Sequence, residues 1–172
     1  LEGRPFVKKV WKAIEKYIFP KLKAVYTVND SIAKLYKDEY AVDVKVVRNF
    51  PVLIEHNRRL PNTKKELNLP ETPKIILYQG SVNVDRGLVE AVEAMQYVTN
   101  AILLIVGDGD ILEEIKIKVQ TLHLNEKVIF RKKIPFEQLK NYTAQADLGI
   151  SLDKDTNINY KFSLPNKIFD YI

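Results

Sequence analysis

Two cations in the sequence occupy positions suited to binding an anion. Arg86 closes a loop bounded by glycines, Gly80 to Gly87, and stands just before a segment that is predicted to be helical. Lys167 stands near the start of a second predicted helix, which follows Pro165. The first N–H groups of a helix lack partners and attract anions, and a guanidinium can add two parallel contacts to phosphate oxygens. These residues therefore predict phosphate binding, and a tight turn with a surface arginine is the open alternative.

Other polar residues could complete such a site. Lys133 and Ile134 belong to a basic stretch after a predicted strand, which could line an anionic or nucleobase pocket or be a solvated run of charge. Asp170 lies three residues after Lys167, so both side chains share one face of the predicted helix. Lys167 could then meet phosphate while Asp170 meets a ribose diol, and a surface ion pair between them is the structural alternative.

The composition gives little support to a metal site. The sequence has no cysteine, and its two histidines, His56 and His123, stand apart from other ligand types. Two Asp-x-Asp pairs could hold Mg²⁺ or Mn²⁺, although capping of the following helix explains Asp110 more simply. The pairs are Asp108 with Asp110 and Asp153 with Asp155. We therefore expect a site without metal.

The candidate residues lie between segments that alternate from strand to helix. Continuous apolar strands between amphipathic helices predict an α/β, Rossmann-like parallel sheet with helices on both faces. Ligands bind beyond the carboxyl ends of the strands in such sheets. At that edge Asp85 is expected to cap a helix, and residues 153–165 are expected to lack regular structure. The predicted strands are 74–79, 101–106, 128–130 and 148–152, and the predicted helices are 87–97, 111–122, 136–146 and one that begins at 165.

The pattern before residue 74 is less regular. Residues 55–73 are polar, basic and proline-containing, and only 64–67 suggest a short helix. We interpret 1–58 as the tail of an N-terminal domain, 59–73 as a linker and 74–172 as a second domain, incomplete at its C-terminus. Within the first part, helices are predicted at 5–19 and 29–35 and strands at 24–28 and 44–47.

The distribution of charge bears on the class of partner. The net charge of +5 weakly favours anionic partners. Arg4, Lys8, Lys12 and Lys16 recur at four-residue spacing on the first predicted helix, and this face could meet anionic lipid or be solvated. No apolar run is long enough to cross a bilayer. Nucleic acid is not expected, because the basic residues are not interleaved with aromatic residues as a stacking platform requires.

The order of the motifs resembles the family 4 glycosyltransferases of the GT-B fold, over nearly the whole chain. Residues 78–88 (YQGSVNVDRGL) are similar to the family's glycine loop, and 103–109 (LLIVGDG) to its Gly-x-Gly strand end. Residues 163–171 (SLPNKIFDY) are similar to the start of its donor-binding helix, and 25–31 and 44–51 to the end of its N-terminal domain. The resemblance implies two Rossmann-like domains, of which the second, 74–172 here, binds a nucleotide sugar.

The resemblance also implies roles for individual residues. Arg86 and Lys167 would contact the diphosphate and stabilise the charge that grows on it, Asp170 would hold the ribose hydroxyls, and Lys133 and Ile134 would lie beside the base. Two positions depart from the family: Ser81 stands where an arginine is usual, and Phe162 stands where the first of two spaced acids belongs. The implied donor-binding set is Gly80, Ser81, Arg86, Gly87, Lys133, Ile134, Ser163, Leu164, Pro165, Asn166, Lys167 and Asp170, with backbone N–H groups near Gly80 and Leu164 also contacting the diphosphate.

The implied reaction transfers a sugar from a nucleoside diphosphate to an acceptor hydroxyl, with retention of configuration and with no metal or other cofactor. The expected partners are a nucleotide sugar and an acceptor sugar or lipid-linked glycan, in bacterial polysaccharide or glycoconjugate synthesis, in the cytoplasm or at the inner face of the membrane. A sugar-nucleotide epimerase of the same fold and a non-catalytic α/β nucleotide-binding module are the alternatives. We expect the chain to be a fragment that ends before the final strands and helices, binds nucleotide weakly and does not turn over.

Overall fold

The computed structural model of the protein describes residues 4–48 and 63–172. The chain divides into two compact units, Leu1–Phe50 and Pro51–Ile172. The predicted boundary between residues 58 and 59 lies outside the described residues. The elements, in chain order, are α1 (Pro5–Ile18), a short 3-10 helix (Phe19–Lys21), β1 (Val25–Thr27), α2 (Asp30–Tyr40), β2 (Val44–Val46), β3 (Lys74–Ser81), α3 (Leu88–Ala94), β4 (Ala101–Asp108), α4 (Leu112–Thr121), β5 (Val128–Arg131), α5 (Phe136–Thr143), β6 (Leu148–Gly149), α6 (Ile158–Lys161) and α7 (Lys167–Tyr171).

The first unit is a small parallel pair of strands, β1 and β2, connected through α2. The side chain of Asn29 caps α2 by accepting a hydrogen bond of 2.9 Å from the N–H of Ile32, as a helix N-cap should. The helix continues to Tyr40, five residues beyond the predicted end at 35, because no breaker interrupts it before Ala41 adopts a left-handed conformation.

Helix α1 leaves its large apolar side chains exposed within the first unit. Phe6, Trp11 and Tyr17 are 78%, 52% and 68% exposed, and no residue of α1 is buried. Of the four basic residues at four-residue spacing, Lys12 forms an ion pair within the unit: its ammonium lies 2.8 Å from the Glu39 carboxylate. The basic face that can meet solvent or a ligand is therefore narrower than the sequence pattern predicts.

The second unit is built on a four-stranded, wholly parallel sheet in the order β5-β4-β3-β6. Strand β4 is central and is buried from Ile102 to Gly107, which matches its unbroken apolar sequence. Helices cover both faces of the sheet, because alternate residues of each strand point to opposite sides. One core contains Tyr78, Val82, Leu88, Leu103, Ile105 and Ile115, and the other contains Leu67, Leu69, Ile75, Leu77 and Leu104. The predicted α/β fold is confirmed.

Several local predictions were wrong. Strand β6 has two residues instead of the five predicted, because the chain leaves the sheet after Ile150 donates to the Leu77 carbonyl. Residues 153–165, predicted to lack regular structure, contain α6, whose first turn is capped by Asn157. Asp85 does not cap α3: it adopts a left-handed conformation, and its carboxylate accepts a hydrogen bond from the Thr156 hydroxyl.

In place of Asp85, the N-cap of α3 is Gly87, with φ of 72°, and a side chain there would collide with Leu152. Two other local predictions also differ from the structure. Asp110 does not cap α4, whose N-cap is Ile111; the N–H of Asp110 donates to the side chain of Asn83 instead. The segment around residue 65 forms a turn in which Thr63 and Glu66 cap each other, and Leu67 is buried in the core.

Gly149 allows α7 to dock on the sheet, and this contact can be tested by mutation. A Cβ at this position would collide with the ring of Tyr171. We expect Gly149→Ala to lower the free energy of unfolding by about 1–3 kcal/mol, as overpacking does. Urea denaturation measures the change. In a double-mutant cycle with Tyr171→Ala, the Gly149→Ala cost should largely disappear. An equal cost with and without the ring would contradict the proposed contact.

Candidate anion-binding site

Arg86 is held by an acid and an aromatic ring at the carboxyl edge of the sheet. Its Nη1 donates to Asp153 Oδ1 at 2.9 Å, and its guanidinium carbon lies 4.5 Å from the centre of the Tyr160 ring. Helix α6 positions that ring, and the Tyr160 hydroxyl donates to the Val84 carbonyl at 3.2 Å. Burial lowers the pKa of Arg86, but the hydrogen bond and charge of Asp153 more than offset this effect, so the pKa lies above its ordinary value. Arg86 is therefore a fixed cation.

Lys167, the first residue of α7, brings a second cation to the same place. Its Nζ lies 4.1 Å from the centre of the Tyr78 ring, an arrangement that favours a cation. Burial lowers the pKa of Lys167 to about 8; the negative charge of Asp153 opposes this effect, and the positive charge of Arg86 adds to it. Both other charges of the cluster thus act on Lys167. The two cations that the sequence singled out are brought together.

Three atoms of this cluster lack hydrogen-bond partners among the described residues. They are Arg86 Nε, Lys167 Nζ and Asp153 Oδ2, and all three are buried. Buried polar atoms are almost always hydrogen-bonded, and unpaired ones raise the free energy of the folded state. The cluster carries two positive charges and one negative charge, so a net positive charge is left over. Its chemistry therefore suits an anion that offers several acceptor oxygens.

A hydrogen-bond network fixes α7, and with it Lys167, on the sheet. Gln79 is buried in β3; its Oε1 accepts from the Thr143 hydroxyl at 2.9 Å, and its Nε2 donates to Asp170 Oδ2 at 2.8 Å. The Tyr171 hydroxyl lies 3.4 Å from the Leu77 carbonyl. Burial raises the pKa of Tyr171 to about 12, so this hydroxyl keeps its proton. Asp170 is thus bonded to Gln79 and does not form the ion pair with Lys167 that the sequence left open.

A pocket of about 690 Å³ opens beside the charge cluster, at the ends of β3 and β4. Lys133 and Ile134, from the loop between β5 and α5, line it together with Gly80 and Ser81. Gly80 connects the pocket to the cluster, because a Cβ placed on it would lie 4.0 Å from Cε of Lys167. The volume is in the range that small-molecule sites occupy. The residues predicted for a nucleobase therefore share one cavity with the glycine loop.

The remaining predicted site residues lie along the approach to α7 and α3. Gly87 is buried at the start of α3, and Leu164 is 49% exposed. The Ser163 hydroxyl donates to the Tyr160 carbonyl at 3.0 Å, so it is engaged within the protein. The Pro165 carbonyl accepts from the N–H of Ile168, and Asn166 is the N-cap of α7.

Sequence reasoning missed four residues of this site: Tyr78, Gln79, Asp153 and Tyr160. The sequence pattern indicates Asp153 only as one of a pair of possible metal ligands, although an acid that follows the last predicted strand lies at the same sheet edge as Arg86. The tyrosines and Gln79 gave no comparable signal, since their partners are distant in sequence. No group of three or more potential metal ligands of the His, Cys, Asp or Glu types occurs within 4–48 and 63–172. Over the same ranges, no helix has the length and hydrophobicity needed to cross a membrane.

Solved structures show where this architecture occurs. The chain is similar to TarM of S. aureus, a mutant of which was crystallised with Fondaparinux, alpha-GlcNAc-glycerol and UDP: the TM-score is 0.62 at 16% identity, over 80% of this chain and 27% of that chain. It is similar to a glycosyltransferase from Rickettsia africae ESF-5, with a TM-score of 0.61 at 20% identity, over 83% and 41%. It is similar to sucrose-phosphate synthase from Thermosynechococcus elongatus, with a TM-score of 0.64 at 21% identity, over 87% and 40%. These likenesses show a shared fold.

The family follows from the sequence itself. The model of the family "Glycosyl transferases group 1" matches residues 61–152, which is more than half of the chain. The chain belongs to this family, and the predicted resemblance is confirmed. The matched part of the chain covers 27–41% of the length of the three proteins whose structures are described above. A comparison with curated proteins finds no match.

The low pKa of Lys167 predicts that this side chain contributes to the pH dependence of the free energy of unfolding. Its pKa falls from 10.5 to about 8 on folding, so the charged form destabilises the folded state below pH 8, and this penalty disappears as the pH rises from 8 to 10.5. We expect Lys167→Met to be more stable than the wild type at pH 7, with a difference that shrinks towards pH 10.5.

Urea denaturation across this pH range measures the effect. Lys161→Met, which removes an exposed ammonium paired with Asp155, is the matched control and should show no comparable trend. A Lys167→Met difference that stays constant from pH 7 to 10.5 would mean that Lys167 titrates as an ordinary lysine.

Proposed function

We propose that the second unit binds the nucleoside-diphosphate sugar of a glycosyltransferase. The observation that carries this proposal is the convergence of Arg86 and Lys167 around Asp153, beside a pocket that Lys133 and Ile134 line. A diphosphate supplies the several anionic oxygens that the unpaired donors of the cluster lack. A nucleoside attached to it would extend into the adjacent pocket. The UDP in the TarM complex supports a ligand of this class for the shared fold.

The proposed reaction breaks the bond between the sugar and the diphosphate. Negative charge grows on the leaving diphosphate as the sugar becomes cation-like, and fixed cations stabilise this charge. One preorganised group of this kind can lower a barrier by roughly 3 kcal/mol. Arg86 and Lys167 supply two positive charges without a metal, and because α3 and α7 are short, we assign more of the effect to these side chains than to the helix dipoles.

The other parts of the donor are assigned by position. We propose that Lys133 and Ile134 lie beside the base and that the carboxylate of Asp170 accepts a hydrogen bond from a ribose hydroxyl. The hydrogen bond from Gln79 orients that carboxylate, which supports a positioning role for Gln79. For the whole protein, we propose that the sugar is transferred, with retention, to a hydroxyl of an acceptor sugar or lipid-linked glycan. We propose that this reaction belongs to the cytoplasmic synthesis of a bacterial polysaccharide or glycoconjugate. The present chain alone is proposed to be inactive.

We further propose that α1 contacts anionic membrane, because its apolar side chains and the basic residues Arg4, Lys8 and Lys16 are exposed. Trp11 is the single tryptophan of the sequence, so its fluorescence reports on α1 alone. We expect its emission to shift to the blue with phosphatidylserine-containing vesicles and not with phosphatidylcholine vesicles. The variant Lys8→Gln/Lys16→Gln should lose the shift. An unchanged spectrum of the wild type with anionic vesicles would contradict the contact.

The donor proposal is tested by removing the guanidinium. Nucleotide that binds only the folded state stabilises it by mass action, by about 2.7 kcal/mol at a hundredfold excess over Kd. We expect one of UDP, GDP or ADP, or its glucose conjugate, to raise the melting temperature of the wild type. Arg86→Ala should abolish the rise, because the diphosphate loses its fixed cation.

The design separates loss of binding from loss of stability. Arg86→Ala leaves Asp153 buried and unpaired, so each shift is measured against the ligand-free midpoint of the same variant. Arg86→Gln, whose amide can still donate to Asp153, runs in parallel. Lys161→Ala removes one exposed cation of helix α6 and should keep the full shift. A full shift in Arg86→Ala would refute the phosphate assignment.

A further inference from the structure

The carboxylate of Asp153 lies inside the group of cations that would hold the diphosphate. Its side chain is only 7% exposed, and Oδ1 accepts from Arg86 at 2.9 Å. Its charge also acts on Lys167, and Oδ2 has no hydrogen-bond partner among the described residues. An anion that both cations bind must therefore approach this carboxylate closely. Asp153 is thus placed to act on such a ligand as well as on Arg86.

We propose that Asp153 shifts the selectivity of the site towards a sugar-substituted nucleoside diphosphate and away from the free nucleoside diphosphate. The inference rests on the donor-binding function proposed above and adds a residue that discriminates the donor from the leaving group. Two physical effects support it, and both act in the same direction.

The first effect is electrostatic. The terminal phosphate of a free nucleoside diphosphate has a second ionisation with a pKa of about 6, so at pH 7 it carries about one more negative charge than a diphosphate whose terminal phosphate is esterified by a sugar. Repulsion between like charges a few ångströms apart is strong in a partly buried site. The Asp153 carboxylate therefore penalises the free diphosphate more than the sugar-substituted one.

The second effect is hydrogen bonding. Oδ2 of Asp153 is a buried acceptor without a donor among the described residues, which is an unfavourable state that a ligand can relieve. A sugar carries hydroxyl groups that can donate, whereas a terminal phosphate that has lost its protons offers only acceptors. A donor with a sugar attached can therefore satisfy Oδ2, and the free diphosphate leaves it unsatisfied.

Dissociation constants of matched ligand pairs test the inference, measured by NMR titration of the full chain, which detects weak binding. The probes are UDP and UDP-glucose, GDP and GDP-glucose, and ADP and ADP-glucose, and the pair that binds the wild type most tightly is used. Asp153→Asn keeps an oxygen that can accept from Arg86 but removes the charge. We expect it to reduce the preference for the sugar-substituted ligand by about tenfold, chiefly by tightening the free diphosphate. Asp155→Asn, an exposed acid paired with Lys161, is the control and should leave the preference unchanged.

A second measurement compares the wild type with Asp153→Asn at several pH values. Below about pH 6 the terminal phosphate of the free diphosphate gains a proton and matches the charge of the sugar-substituted ligand. We therefore expect the difference in preference between the wild type and Asp153→Asn to narrow between about pH 7.5 and about pH 5. Arg86, Lys167, Tyr78 and Tyr160 also face this site, and the two cations favour the more highly charged free diphosphate. Because the wild type and Asp153→Asn both contain these groups, their contributions largely cancel when the two proteins are compared.

The outcomes separate this inference from the function on which it rests. If both ligands bind and Asp153→Asn changes the two constants by the same factor, Asp153 only positions Arg86 and the inference is wrong. A difference in preference between the wild type and Asp153→Asn that does not change with pH would also contradict it. If no ligand of any pair binds the wild type, the donor-binding function itself fails, and the selectivity falls with it.

Discussion

The ion pair between Arg86 and Asp153 brings opposite charges together at a place where water is largely excluded. Removing such charges from water costs several kcal/mol for each ion, and only a close partner offsets this cost. Lys167 Nζ has no hydrogen-bond partner among the described residues, and burial in the same surroundings lowers the pKa of Lys167 to about 8. The cluster is thus electrostatically incomplete as it stands. An anion with several oxygens would complete it, and this requirement links the fold to the proposed chemistry.

The rest of the second unit fixes the three charged groups relative to one another. Parallel strands end at one edge of the sheet, so loops that are distant in sequence meet there. Gln79 and Tyr171 attach α7 to β3, and Gly149 gives the tyrosine ring the space it needs. Helix α6 brings the Tyr160 ring against Arg86. Long charged side chains lose much conformational freedom when they are held in this way, so binding a ligand would require little further ordering.

The sequence predicted the regular part of the fold well. The apolar run of β4 and the amphipathic pattern of α4 depend only on local periodicity, and both lie within one or two residues of their expected positions. Arg86 and Lys167 were also identified, because each follows a motif that has its own local signal. Asp85, Asp153 and Gln79 were misjudged or missed, since their roles are set by partners more than 60 residues away along the chain. Local spacing carries no information about such contacts.

The proposed site requires one diphosphate to be shared by Arg86 and Lys167, and a crystal structure with a bound nucleoside diphosphate tests this requirement directly. We predict phosphate oxygens within about 3 Å of Arg86 Nε and Lys167 Nζ, the distance of a charge-assisted hydrogen bond. The nucleoside should extend into the pocket beside Lys133. A diphosphate bound elsewhere, with Arg86 Nε and Lys167 Nζ still lacking hydrogen-bond partners, would contradict the proposed binding of one diphosphate by both cations.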